Sequence, residues 1–150
     1  MPRIRSLIAI VAMACAMAVF ATSAGADYPD HYMLRKVNNA RHAHGLGKLH
    51  VSRNLTHSAG AYARYLMSHQ YFGHSSRIHA SSSWHRLGEI LELQYGLRPH
   101  VKRAYRCWMH SSEHRNIILD GGWSSMGAGR ASGWFRGHKM TIWVIHFGHH

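Results

Sequence analysis

The chain has 150 residues, 46% of them hydrophobic, with 18 Lys and Arg against 6 Asp and Glu and a further 16 His. A formal charge of +12 with neutral histidines excludes an acidic or charge-balanced surface and points to polyanions as a partner class. The two cysteines, Cys15 and Cys107, exclude a small domain framed by several disulfides.

The N-terminus reads as a secretion signal over residues 1–26. Arg3 and Arg5 form a basic start, residues 7–20 form an apolar run, and Ala24-Gly25-Ala26 is a small-residue cleavage site. The run is short for a bilayer span, and Cys15 lacks the leucine three residues earlier that lipidation would favour. The expected location is therefore secreted, with a mature chain from Asp27. That chain keeps sixteen basic and all six acidic residues, a net +10. An unperturbed imidazole titrates near pH 6.5, so mild acid would raise the charge of a chain with sixteen histidines further. Anionic lipid, envelope polymer or a merely solvated basic surface all fit. Nucleic acid is disfavoured, because no long basic block or zinc-finger spacing occurs.

Met33, Leu34, Val37 and Arg41 at helical spacing predict a helix over 31–44, stopped by Gly45. Residues 46–49 form a turn. Ser52 is the predicted N-cap of a second helix with Leu55, Ala59, Tyr62, Ala63 and Leu66 as its apolar stripe. Gly73 breaks that pattern, residues 75–83 read as a polar loop, and a short helical piece is expected over 84–93. Pro99 suits the first turn of another helix, with Val101, Ala104, Tyr105 and Trp108 inward and Cys107 a buried, inert thiol. Ser112 is the predicted N-cap of one more helical turn, 113–119. Alternation then predicts strands over 125–131 and 140–147, joined around 133–137. Helices followed by an antiparallel pair give an α+β fold, a single domain over 27–150.

Several strings in this order carry a resemblance. They are Val37-Asn38-Asn39-Ala40-Arg41 with Gly45-Leu46-Gly47-Lys48-Leu49, the stripe from Leu55 to Met67, and Phe72-Gly73-His74. Gly88-Glu89-Ile90-Leu91, the run from Trp108 through Ser111-Ser112-Glu113-His114-Arg115-Asn116 to Leu119, Met126-Gly127-Ala128-Gly129 and the closing Trp143 to Gly148 complete the set. Together they resemble the bacterial branch of the CAP superfamily (cysteine-rich secretory, antigen-five and plant pathogenesis-related proteins, the SCP domain). The resemblance implies a three-layer α-β-α sandwich with a small antiparallel sheet flanked by helices. It also implies a cleft with two histidines and two glutamates, often with a divalent cation. His74 and Glu89 map onto half of that tetrad. The third position holds Ser111, and the fourth falls on Ile142 if Val144-Ile145 stands for the family's Thr-Gln pair.

A histidine beside a carboxylate can share a proton, orient a water or bind a divalent metal such as zinc. His114, near a predicted helix start where the dipole favours a neutral ring, joins His74 and Glu89 as the candidate catalytic or metal-ligating set. Ser111, Arg115 and His146 are candidate cleft or support residues. Each also has a plainer reading. His114 and Arg115 would cap the turn and pair with carboxylates such as Glu89, and His146 would lie at the surface. Glu92 would be a solvated charge sharing Glu89's helical face. Trp134-Phe135, in the glycine-rich connection, is a candidate exposed contact. Two functions stay open. One is a non-catalytic extracellular module that binds an envelope, lipid or polyanionic ligand in a His/Glu cleft, with or without a metal. The other is a metal-assisted hydrolase using His74, Glu89 and His114. The lack of a serine or cysteine in a nucleophile motif, and the half-replaced tetrad, favour binding.

Overall fold

Apolar residues on both sides of the strand segments require a sheet covered on both faces, and the chain builds one. The computed structural model describes residues 28–150; the signal segment lies outside them. In chain order the elements are α1 (Tyr28–Ala43), β1 (His50–Val51), α2 (Arg53–Ser68), β2 (Arg86–Tyr95), α3 (Val101–His110), α4 (Ser112–Ile118), β3 (Ser125–Phe135) and β4 (His138–His149). The strand order is β1-β3-β4-β2. Both pairings of β4 are antiparallel, while two-residue β1 runs parallel to β3. The sheet is therefore mixed, a small departure from the antiparallel expectation.

Alternation along β4 divides the core. Trp143, Ile145 and Phe147 point to the layer of α1, α3 and α4, meeting Met33, Val37, Trp108 and Ile118. Met140, Ile142 and Val144 point the other way, to Ala59, Ala63 and Leu66 of α2. This is the expected α-β-α sandwich. Buried Arg41 locks one side, donating to the carbonyls of Ile118 and Asp120 at 2.8 Å each. Those bonds join α1 to the end of α4, and they satisfy carbonyls that a helix end leaves open.

The main correction concerns 84–93, where strand β2 (Arg86–Tyr95) replaces the expected helical piece. Leu91 and Leu93 pack on the α2 side and Ile90 on the opposite side. A strand covered on both faces loses its polar alternation, so its apolar run mimics a short helix. Boundaries also move: α1 begins at Tyr28, and the last two strands lengthen to Ser125–Phe135 and His138–His149. Ser111, not Ser112, caps α4. The β3–β4 connection shrinks to Arg136-Gly137, both at positive φ (46° and 81°), as a two-residue hairpin turn with right-handed strand twist requires.

Helix α2 lies unusually close to β3. A Cβ on Gly127 would collide with the backbone of Leu55 and Thr56, and one on Gly129 with the backbone of Ala59 and Gly60. Gly60 itself costs about 1 kcal/mol inside a helix, which the close contact offsets. Gly127→Ala should destabilise the fold by about 3 kcal/mol through enforced separation of helix and sheet. Gly47→Ala, whose Cβ would meet nothing within 4 Å, should be nearly neutral. Urea unfolding of both variants tests this, and equal midpoints would refute the close-packing argument.

Candidate functional site

Strand register brings the polar residues together. Glu89 on β2 lies opposite His146 on β4, and His146 lies opposite Gly127 on β3. With no side chain at Gly127, α2 settles onto this row and delivers Ser58, three residues beyond Leu55 on its buried face. The Glu89 carboxylate, 5% exposed, is then surrounded by donors. Oε1 receives His74 Nδ1 at 2.9 Å and the Ser75 amide at 2.9 Å. Oε2 receives His146 Nε2 at 2.9 Å and Ser75 Oγ at 3.2 Å. His146 Nδ1 continues the chain to Ser58 Oγ at 3.0 Å.

The electrostatics follow from those contacts. Burial alone would raise the Glu89 pKa, but hydrogen bonds from His146, Ser75 and His74 outweigh it and hold the carboxyl below its ordinary value of 4.5. Burial, followed by the charge of Glu89, pushes the Tyr62 hydroxyl up to about 12. Tyr62 therefore stays protonated and donates to the Gly73 carbonyl at 2.8 Å, which anchors the loop carrying His74.

Above this row opens a cleft of about 620 Å³. Its walls include Tyr62, Tyr65, Tyr71, Arg77 and Ile78, with His74 at the side and Ser58 and His146 on the floor. The rings of Tyr62 and Tyr65 stack at 5.9 Å. Tyr65 and Tyr71 remain about half exposed. Among the described residues, no Asp or Glu lines the cleft.

The predicted site residues divide into three groups. His74 and Glu89 come together as expected. His146 joins them and is 1% exposed, which overturns the surface expectation; β4 is an inner strand with both faces covered. Ile142, the mapped tetrad position, is fully buried in the α2-side core. Ser111 caps α4, accepting from the His114 amide at 3.5 Å. His114 sits in that first helical turn, and burial, then the charge of His74, lower its pKa. Its side chain bonds neither His74 nor Glu89. Arg115 is exposed and forms no ion pair with Glu89, contrary to the capping-and-pairing expectation.

Glu92 and Cys107 also differ from expectation. On a strand, three residues' separation places Glu92 on the face opposite Glu89. There it is half-buried and bonded to the Cys107 thiol, with burial raising its pKa. Cys107 is exposed, not buried, and partial burial of its sulfur together with Glu92 raises its pKa, so it is a poor thiolate source. Trp134 is 64% exposed, as expected, but its neighbour Phe135 is buried in the α2-side core, because alternation along β3 turns it to the opposite face. Sequence reading missed Ser58, Ser75, Arg77 and the tyrosine wall. Ser58 did leave a signal: it is a polar residue at a buried position of the α2 stripe.

A family model described as the cysteine-rich secretory protein family, CAP, matches residues 34–147. The chain belongs to this family. Solved structures agree on the fold. An outer surface protein of Borrelia burgdorferi is 18% identical with a TM-score of 0.67, covering 79% of this chain and 90% of that one. An extracellular SCP-domain protein of Bacillus anthracis is 16% identical with a TM-score of 0.67, covering 83% of this chain and 41% of that one. Venom allergen-like protein 4 of Schistosoma mansoni is 11% identical with a TM-score of 0.62, covering 81% and 90%. No curated protein matches significantly. At these identities the likeness is one of fold.

The family resemblance implies a divalent metal, and the donor set can be tested against it. A carboxylate offers about four acceptor positions, and Glu89 has filled them with His74, Ser75 twice and His146. His146 has both ring nitrogens engaged. Among the described residues, no three His, Cys, Asp or Glu side chains are grouped to hold a metal ion. The residues as arranged do not fit a resident cation.

Glu89→Gln in this CAP domain should cost about 3 kcal/mol, because an amide group would face donors in a buried network. His74→Ala should cost less than about 1 kcal/mol, since its ring is 60% exposed. Glu89's folded pKa is depressed, so its contribution is present above the unfolded value and lost as pH falls through the folded one. The gap in thermal midpoint between wild type and Glu89→Gln should narrow as pH drops from about 6 to about 3. A constant gap would mean that the charge is not what stabilises.

Proposed function

We propose that this CAP-family protein is a secreted binding module for an anionic amphiphile of the cell envelope, held in the tyrosine-walled cleft. The observation that carries the reading is the cleft's composition. Tyr65 and Tyr71 offer half-exposed apolar rings beside Arg77, His74 and His79, with no acid in the described lining. Aromatic rings with polar tips suit a ligand that is apolar at one end and wet at the other. The Arg77 guanidinium, with the two imidazoles as further hydrogen-bonding groups, would take a phosphate or carboxylate. The filled acceptor positions of Glu89 support a cleft that works without a resident metal.

Export rests on the basic, apolar and small-residue pattern of residues 1–26. Expression in a bacterial host should yield an external protein beginning at Asp27. Retention of Met1 on cell-associated protein would overturn that part of the reading.

The ligand class is tested by co-sedimentation with vesicles of phosphatidylglycerol or phosphatidylcholine. A chain this basic will adhere to any anionic surface, so the control must match charge. Arg77→Gln and Tyr65→Ala should each weaken phosphatidylglycerol binding at least about fivefold, a loss near 1 kcal/mol. Arg103→Gln, on α3 away from the cleft, should change it little. Equal losses for Arg77→Gln and Arg103→Gln would reduce the binding to general surface charge. Zinc calorimetry on protein lacking His149 and His150 should show no stoichiometric site that His74→Ala removes.

A further inference from the structure

The cleft floor contains an arrangement that the binding reading does not use. Ser58 Oγ lies 3.0 Å from His146 Nδ1, and His146 Nε2 lies 2.9 Å from Glu89 Oε2. An ionised carboxylate only accepts, so Nε2 carries its hydrogen. In the neutral ring Nδ1 is then the lone-pair nitrogen, and the Ser58 hydroxyl donates to it. Hydroxyl to imidazole to carboxylate is the polarity that activates a serine, whatever fold supplies the three groups.

Position and access support this reading. The three residues come from α2, β4 and β2 and meet only through strand register and the glycine contact, so no local motif announces them. Glu89 is fixed by Ser75 and His74 as well as by His146, which prevents the orienting carboxylate from turning away. Ser58 and His146 are 5% and 1% exposed, yet both border the cleft. A purely structural tie between helix and sheet would need the same bonds but no cavity reaching them.

We propose that Ser58 is the nucleophile of an acyl-transfer site, with His146 as its base and Glu89 as the positioning residue, acting on a slender carboxylic ester. This inference shares with the binding reading the assumption that ligands enter the cleft; it does not require an anionic amphiphile. Ser58 Oγ attacks the carbonyl carbon, its proton passes to His146 Nδ1, and the carbonyl electron pair moves onto oxygen. Collapse of that intermediate breaks the bond to the alkoxy oxygen. His146 returns the proton to the leaving oxygen, giving free alcohol and acyl-Ser58. A water then gives its proton to His146 and attacks the acyl carbon. The carboxylic acid departs and Ser58 recovers its hydrogen. Arg77 supplies permanent positive charge to the same cleft, which favours a developing oxyanion.

The test is covalent labelling of the purified protein with an alkyl fluorophosphonate, located by peptide mass spectrometry, alongside p-nitrophenyl acetate hydrolysis. One phosphonyl adduct per chain, on the peptide carrying Ser58, is expected. Ser58→Ala should abolish that adduct and lower ester turnover at least about 100-fold. Alanine is favourable within a helix, and circular dichroism verifies that the variant folds. Because sixteen histidines can hydrolyse an activated ester unaided, equal turnover by wild type and Ser58→Ala overturns the proposal. So does the absence of an adduct, or its scatter over tyrosines. Labelling of Ser58 without vesicle binding would sink the amphiphile reading alone, and vesicle binding without labelling would sink the nucleophile alone.

Discussion

The structure depends on how closely α2 can lie on the sheet. Gly127 and Gly129 remove the side chains that would hold the helix off, and Ala59, Gly60 and Ala63 remove them from the facing side. This brings the helix backbone against β3, where dispersion contacts are dense and water is absent. The approach also sets the site. With a normal helix-to-sheet distance, the short side chain of Ser58 would not reach His146.

Glu89 imposes the second constraint. A carboxylate this buried is strongly destabilising unless donors replace its lost water. The sheet supplies His146, and the loop after Gly73 supplies His74 and both donors of Ser75. The loop is thus held by the charge it solvates, and Tyr62 pins its start through the Gly73 carbonyl. The geometry of the cleft at Tyr71, Arg77 and His79 therefore depends on a bond network at the sheet, a coupling that runs through contiguous contacts.

Much of this was legible in the sequence, and what was not has physical causes. Ser52 as the cap of α2, the apolar stripe and the final hairpin strands follow from local chemistry and period. The order of strings from Val37 to Gly148 located the family and the three-layer fold. Strand β2 was misread because both its faces are covered, which erases the alternation that marks a strand. His146 was misplaced because burial depends on β4 being an inner strand, and strand order is a long-range property. Cys107 and Glu92 were misjudged together: a helical reading of 84–93 put Glu92 on the wrong face, away from the thiol it meets. Ser58 was overlooked because a lone serine in a helix is unremarkable until its partner, 88 residues away, is known.

The saturation of Glu89 separates structural demand from chemical opportunity within one cluster. Every lone-pair position of the carboxylate is used, so Glu89 itself has nothing to offer a ligand. Its influence passes outward through the groups it orients. Holding His74 by Nδ1 turns Nε2 toward the free side of the ring, where the side chain is 60% exposed. Holding His146 by Nε2 leaves Nδ1 for Ser58. One buried charge thus fixes the tautomer and direction of two imidazoles on opposite sides of it, one facing the cleft wall and one the cleft floor. The position mapped onto Ile142 is dispensable for that arrangement, because β4 presents His146 four residues further along on the same face. The chain reaches its His-Glu-His constellation through the register of β2 on β4 and the loop that follows Gly73.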